Sequence, residues 1–234
     1  VGFEDGATRG EADEARYDVV AGTLTLITLG AAGQTPRIVD RRGSIQADTV
    51  TITLDGHEIE ATGNVESVLL SSAEDGVDPS RADEAGRARR PGLLADDQRI
   101  YVTAGLLEYD PDQSVARYSA TAPATARLWQ ETTEFQGTTI TLDEATGSIG
   151  AEGNARSRST IVQINDETGE LEPTMTTGRG ETVHYDDETR RAVYSTDAEL
   201  ESDRVHLNAD TIELYLHDDA QTLDRIVAVG NVTL

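Results

Sequence analysis

The sequence predicts an all-β fold: an elongated stack of repeats in which antiparallel strands form two facing walls. Three observations predict it. Thr alternates with aliphatic residues in residues 23–29 (TLTLITL) and 49–54 (TVTITL), the period-2 signature of half-buried strands. One pattern occurs three times: residues 45–66 lie over residues 135–156 without a gap, and a third copy starts at Leu207 and closes on residues 226–232. Repeated β units of this kind build a layered stack rather than a pocketed globule. Within every copy, the aliphatic positions also change parity at one fixed point.

Along the chain, residues 1–15 are acidic, Gly-containing and aperiodic, and are expected to form a flexible lead-in. Residues 16–70 hold the first repeat region, opened by Ala15-Arg16-Tyr17 as the second arm of a first hairpin. Here Ile45 and Ala47 share one parity, whereas Val50, Ile52 and Leu54 take the other. A strand that changes its inward face must bend or bulge, which puts the small residue Ala47 at a corner. Residues 71–98 lack β-branched runs and are rich in Ala, Asp, Arg and Gly, as in a mobile loop or a linker. Residues 99–234 carry the second and third repeats, continuous with the first. Two hairpins of equal length occur there, residues 107–119 and 183–195, which align without a gap. Each has a tyrosine on both arms (Tyr109 and Tyr118, Tyr185 and Tyr194) around a run of turn formers. The parity switch recurs between Phe135/Gly137 and Ile140/Leu142, and between Leu207/Ala209 and Ile212/Leu214/Leu216.

Each copy ends in apolar-x-Ala-x-Gly-Asn-apolar: Ile59, Ala61, Gly63 and Val65; Ile149, Ala151, Gly153 and Ala155; Ile226, Ala228, Gly230 and Val232. These residues share a face. Small residues on an inward face let opposing walls approach, or leave room for something between them. Taken singly, such a glycine reads as a bulge or a packing constraint before it reads as a ligand contact.

Composition narrows the function. Asp and Glu number 44 against 19 basic residues, all of them Arg, for a net charge of −25. Neutralising phosphates needs clustered basic residues, so nucleic acid is excluded as a partner, as is electrostatic docking on anionic lipid. Without cysteine there is no disulfide, thiol nucleophile or thiolate metal site. His57, His184, His206 and His217 lack metal-ligand spacing, and the serines lack a nucleophile elbow. Aromatics make up 4% of the chain, too few for a carbohydrate-cleaving cleft; Trp129 and Phe135 are expected to anchor the stack. No enzyme activity, metal or cofactor is expected.

Several strings resemble the OstA-like repeats of the LptA–LptC family of periplasmic lipopolysaccharide-transport proteins. They are the Tyr-Asp hairpins, Ala-x-Leu-Trp-Gln at Ala126–Gln130, Gln136-Gly137-x-x-Ile140, and Ala151-x-Gly153-Asn154-Ala155. Residues 99–110 (RIYVTAGLLEYD) are similar to the strand that enters such a repeat. The resemblance covers residues 16–70 and 99–234. The chain departs from the family pattern where Gly137-Thr138 replaces Ala-Asp, and where Tyr118-Ser-Ala-Thr-Ala and Tyr194-Ser-Thr-Asp-Ala replace Tyr-x-Gly-Asn-Ala.

The resemblance implies a folded-over β-jellyroll, open along one side, whose apolar groove shields lipid acyl chains. It implies lipopolysaccharide or a related glycolipid as ligand, and homologous β-jellyrolls or further copies of the chain as partners through edge strands. The C-terminal segments, residues 205–207 with 210–216 and residues 226–234, are the expected edge. It also implies a periplasmic location, for which the chain is expected to have been processed or excised from its targeting segment. The groove would be lined by Val50, Ile52, Leu54, Ile59, Val65, Leu128, Ile140, Leu142, Ile149, Leu200, Ile212, Leu214, Ile226 and Val232. The residues alone equally allow a structural β-solenoid in which these side chains fill a closed core.

Overall fold

The computed structural model describes residues 1–6, 8–30, 33–70, 89–164, 169–203 and 205–234, and every regular element among them is a β-strand. Of the segment expected as a loop or linker, residues 71–88 lie outside the described residues. The chain divides into two units, Val1–Arg87 with Asp96–Leu128, and Ala88–Ala95 with Trp129–Leu234.

The first unit contains β1 (Gly2–Asp5), β2 (Thr8–Glu11), β3 (Glu14–Asp18), β4 (Thr23–Ile27), β5 (Arg37–Val39), β6 (Gly43–Gln46), β7 (Thr49–Thr53), β8 (Ile59–Leu69), β9 (Ile100–Asp110) and β10 (Val115–Ser119). They sort into two antiparallel walls. One runs β3-β4-β7-β8-β9-β10 and the other β1-β2-β5-β6-β8-β9. β8 and β9 are long enough to serve both, with a register shift between Thr62 and Val65 where they pass from one wall to the other. The acidic stretch at the start of the chain is thus strand: Gly2 pairs with Glu11, and Glu14 with Ile27. Ala12-Asp13 sits between β2 and β3 as Ala47-Asp48 sits between β6 and β7, and both alanines are fully buried.

β11 (Ala126–Gln130) spans the division. The second unit continues with β12 (Thr133–Gly137), β13 (Thr139–Asp143), β14 (Ser148–Ile164), β15 (Leu171–Asp186), β16 (Arg191–Glu201), β17 (His206–Leu216) and β18 (Leu223–Val229). Its first wall runs β13-β14-β15-β16-β17-β18 and its second β12-β14-β15-β16-β17. β14, β15 and β16 shift register where they pass between the walls, at Glu152/Ala155, Arg179/Thr182 and Ser195/Ala198 respectively. Each unit is therefore a folded-over β-jellyroll, with the two walls and bends that the alternation and its parity switches predict.

The Gly-Asn pairs make the bend. Both members are left-handed in every copy: Gly63 and Asn64 at φ 78° and 47°, Gly153 and Asn154 at 77° and 51°, Gly230 and Asn231 at 76° and 48°. Gly and Asn adopt that conformation at least cost. In β16 the same two places fall to Thr196 and Asp197, at φ 65° and 51°. The glycine is also needed for space, because a Cβ there would overlap Asp48, Thr138 or Asp210 in the respective copy.

A backbone bond closes each bend. The amides of Asp48, Thr138 and Asp210 donate to the carbonyls of Gly63, Gly153 and Gly230 at 2.8, 3.2 and 2.8 Å. In two copies a side-chain staple is added: Asn64 Nδ2 donates to Asp48 Oδ2 at 2.9 Å, and Asn231 Nδ2 to Asp210 Oδ1 at 2.9 Å. Thr138 cannot accept in this way and instead donates its hydroxyl to the Gly153 carbonyl at 3.3 Å. At the N-terminal bend Asp13 serves, accepting from the Leu29 amide at 2.9 Å. Hydrogen bonding to Leu29 and then Gln34 holds the Asp13 carboxyl below its usual range.

Candidate functional site

Among the described residues, the strands of each unit pass from wall to wall along one rim only. In the second unit, β13–β14, β15–β16 and β17–β18 turn back within the first wall, and β14–β15 and β16–β17 within the second. Among the described residues, the strands that serve both walls pass from one to the other at the bends. The first unit follows the same rule at β1–β2, β3–β4, β5–β6, β7–β8 and β9–β10. Between the walls lies an apolar interior whose opposite rim has no wall-to-wall strand turn among the described residues.

Most of the residues expected to line a groove face this interior. Val50, Ile52, Val65 and Leu128 are buried in the first unit, and Ile140, Leu142, Ile149, Leu200, Ile212 and Leu214 in the second. Ile59 and Ile226 are half-buried. Leu54 and Val232 stand outside the row, at 36% and 50% exposure. Leu54 follows the last residue of β7 and enters a turn, and Val232 follows the left-handed Asn231 beyond β18, so neither continues a strand's inward parity.

The interior is shielded by its own neighbours. In the second unit Tyr194 reaches from the first wall to the second, where its hydroxyl and that of Ser157 are 2.8 Å apart. Its ring lies over Gly178, the cross-strand partner of Ser157, where a Cβ would overlap the ring. Burial raises the Tyr194 pKa against the opposing Ser157 hydrogen bond, so the phenol stays neutral. The two tyrosine hairpins have equal registers: Leu107 pairs with Tyr118 and Tyr109 with Ala116, as Val183 pairs with Tyr194 and Tyr185 with Ala192. Ser67, which faces Ile45 as Ser157 faces Phe135, is buried with a hydroxyl that has no hydrogen-bond partner among the described residues.

Sequence reasoning found the rows but not the struts. Ser157, Gly178 and Tyr194 converge from three strands, and no spacing along the chain announces that meeting. The Asp48–Asn64 and Asp210–Asn231 staples had a trace in the repeated Ala-Asp, which recurs sixteen to twenty-one residues before each Asn in two copies. His57, His184, His206 and His217 are exposed, and no group of acidic and His side chains among the described residues is arranged to hold a metal ion.

At the C-terminal side, β18 pairs only with β17 among the described residues, and Val227, Val229, Val232 and Leu234 are exposed there. β3 likewise pairs only with β4, with Tyr17 exposed.

No family model and no curated protein matches the sequence. Among solved structures the chain is similar to LptH, the LptA-homologous periplasmic component of the lipopolysaccharide transport device from Pseudomonas aeruginosa. The TM-score is 0.42 at 19% identity, over 58% of this chain and 94% of LptH.

Proposed function

We propose that this chain is a non-catalytic, periplasmic component of lipid transport that takes lipopolysaccharide or a related glycolipid. It shelters acyl chains between its apolar walls and joins homologous β-jellyrolls, or further copies of itself, through edge strands. The observation that carries the reading is the one-rim construction: walls hinged at the Gly-Asn bends, with aliphatic rows between them. Such walls can part without breaking a strand turn. Burying acyl surface returns about 25 cal/mol per Å², which favours the loaded state once they have parted. The OstA-like strings point the same way, and the edges of β3 and β18, unpaired among the described residues, offer backbone donors and acceptors to a partner strand. The acidic surface leaves the lipid head group in solvent, where salt screens repulsion beyond about 8 Å.

A second reading, a scaffold with a closed core, is favoured by the Tyr194–Ser157 strut and by the full burial of Ile140, Ile149 and Ile212. Titration with a pyrene-labelled fatty acid separates the two. A transport module takes up the probe saturably and releases it to purified lipopolysaccharide; a scaffold gives neither saturation nor displacement. Substituting a fully buried residue such as Ile140 by Asp would unfold the wall, since an unpaired buried charge costs several kcal/mol, about as much as a domain's whole stability. The half-buried Ile226→Asp is the informative variant: uptake falls while the far-ultraviolet circular dichroism is unchanged. Deleting residues 223–234 removes the C-terminal edge and should abolish end-to-end association measured by light scattering.

A further inference from the structure

In the second unit, the rim opposite the bends is crossed by two sets of contacts. Residues 89–95 form the first. On one wall, the Arg89 amide donates to the Glu144 carbonyl in the β13–β14 turn at 2.6 Å, and the Gly92 amide to Asp187 Oδ1 in the β15–β16 turn at 2.7 Å. On the other wall, Thr133 Oγ1 at the start of β12 donates to the Leu93 carbonyl at 3.5 Å. Beside it, Gln130 Oε1 accepts from the Ala95 amide at 2.6 Å, and Gln130 Nε2 donates to the Ala95 carbonyl at 2.9 Å. Pro91 and Leu94 are buried, so the strap contributes apolar cover as well as polar anchors. Gly92 has no room for a side chain: a Cβ would lie 2.7 Å from Asp187 Oδ1 and 2.9 Å from Ala220 Cβ.

The second set adjoins Ala220. β14 pairs with β12 only as far as Arg158, and β15 with β16 only from Thr177 onward. From Ser159 and Thr176 outward the two strands therefore form a two-stranded arm. From this arm the Val162 amide donates to the Gln221 carbonyl at 2.9 Å, and Val162 and Thr222 are bridge partners. Gln221 and Thr222 belong to the β17–β18 turn of the opposite wall, held by the Asp219 carboxylate, which accepts from both their amides at 2.9 and 2.7 Å.

We propose that the strap 89–95 and the Val162–Gln221 link form a latch on the second unit, whose release admits acyl chains between its walls. The inference rests on the lipid-shielding reading above. The bends are covalently continuous and hydrogen-bonded through the ladder, whereas the latch is held by separable contacts across the rim, the bonds above and the cover of Pro91 and Leu94 among them. Segments with few buried contacts open at the lowest free energy. The latch is therefore the joint that yields first.

The chain has no cysteine, so Val162→Cys with Thr222→Cys introduces a single disulfide across the rim, between bridge partners that lie within disulfide reach. Uptake of pyrene-labelled hexadecanoic acid is measured for wild type and for the double variant, reduced and oxidised. Oxidation lowers the variant's uptake at least about tenfold below that of its own reduced form, and dithiothreitol restores it. Asp187→Ala removes the acceptor of the Gly92 amide, and with it that of the Tyr185 hydroxyl at 3.1 Å, and raises the uptake rate at least about tenfold, the factor that loss of one hydrogen bond to a charged group supplies. Equal uptake by the oxidised and reduced variant overturns the latch and leaves lipid shielding standing. Absence of saturable uptake in wild type overturns lipid shielding itself, and the latch with it.

Discussion

At the scale of single residues, the three repeats make a natural substitution series. Asp48 and Asp210 staple their Asn at 2.9 Å, whereas Thr138 has no carboxylate to offer Asn154. Thr138→Asp should supply the missing bond and stabilise the chain by about 0.5–1 kcal/mol, with Asp48→Thr losing a similar amount. Urea midpoints test both, and a midpoint unmoved by either would show that the staple contributes nothing. Asp219 carries a pH signature. Its bonds from the Thr222 hydroxyl and amide, then from the Gln221 amide, hold its pKa at about 2. The folded value lies below the unfolded one near 3.9, so the stabilisation is present above about pH 4 and lost as pH falls toward 2. Asp219→Asn should melt below wild type at pH 7, and the gap should close between pH 4 and pH 2. A gap that persists at pH 2 would assign it to something other than the charge.

The strand is the scale at which the bends act. In β8 and β14 the two left-handed places belong to Gly and Asn, whereas β16 puts Thr196 there at φ 65°. A β-branched residue in that region costs about 1–2 kcal/mol, and a glycine returns about 0.5–1 kcal/mol of this as lost chain entropy. The side chain of Thr196 is exposed, so no packing is forfeited. Thr196→Gly should therefore stabilise by roughly 0.5–1 kcal/mol, read from thermal melting. A destabilised variant would show that the Thr hydroxyl does something the bend requires. Much at this scale was legible in advance. The parity switch at Ala47, Gly137 and Ala209 and the equal tyrosine hairpins are local patterns, and alternation reports local burial directly. The strands at the start of the chain were hidden because Gly10-Glu11-Ala12-Asp13-Glu14 repeats the bend without aliphatic flanks. Their pairing comes from β4 and β5, not from their own hydrophobicity.

For the whole molecule, charge dominates. A net charge of −25 repels itself, and that repulsion is relieved by salt. Raising the ionic strength from about 0.01 to 0.15 M shortens the screening length from about 30 to about 8 Å, and the melting temperature should rise. Magnesium and sodium chloride at matched ionic strength should act alike if screening is the cause. A selective magnesium effect would instead reveal a bound cation.

Beyond the first strands, the sequence by itself determined the strands, the bends and most of the inward rows, because each is written in neighbours along the chain: period-2 alternation, a parity change, a Gly-Asn pair. Only the tertiary structure decided which side chains meet across the interior. Tyr194 finds Ser157 over Gly178, and the strap at residues 89–95 finds Glu144 and Asp187 on one wall and Gln130 and Thr133 on the other. Those partners lie tens of residues apart and carry no periodicity. Folding the walls onto one another brings them together, and no shorter stretch of chain can specify it.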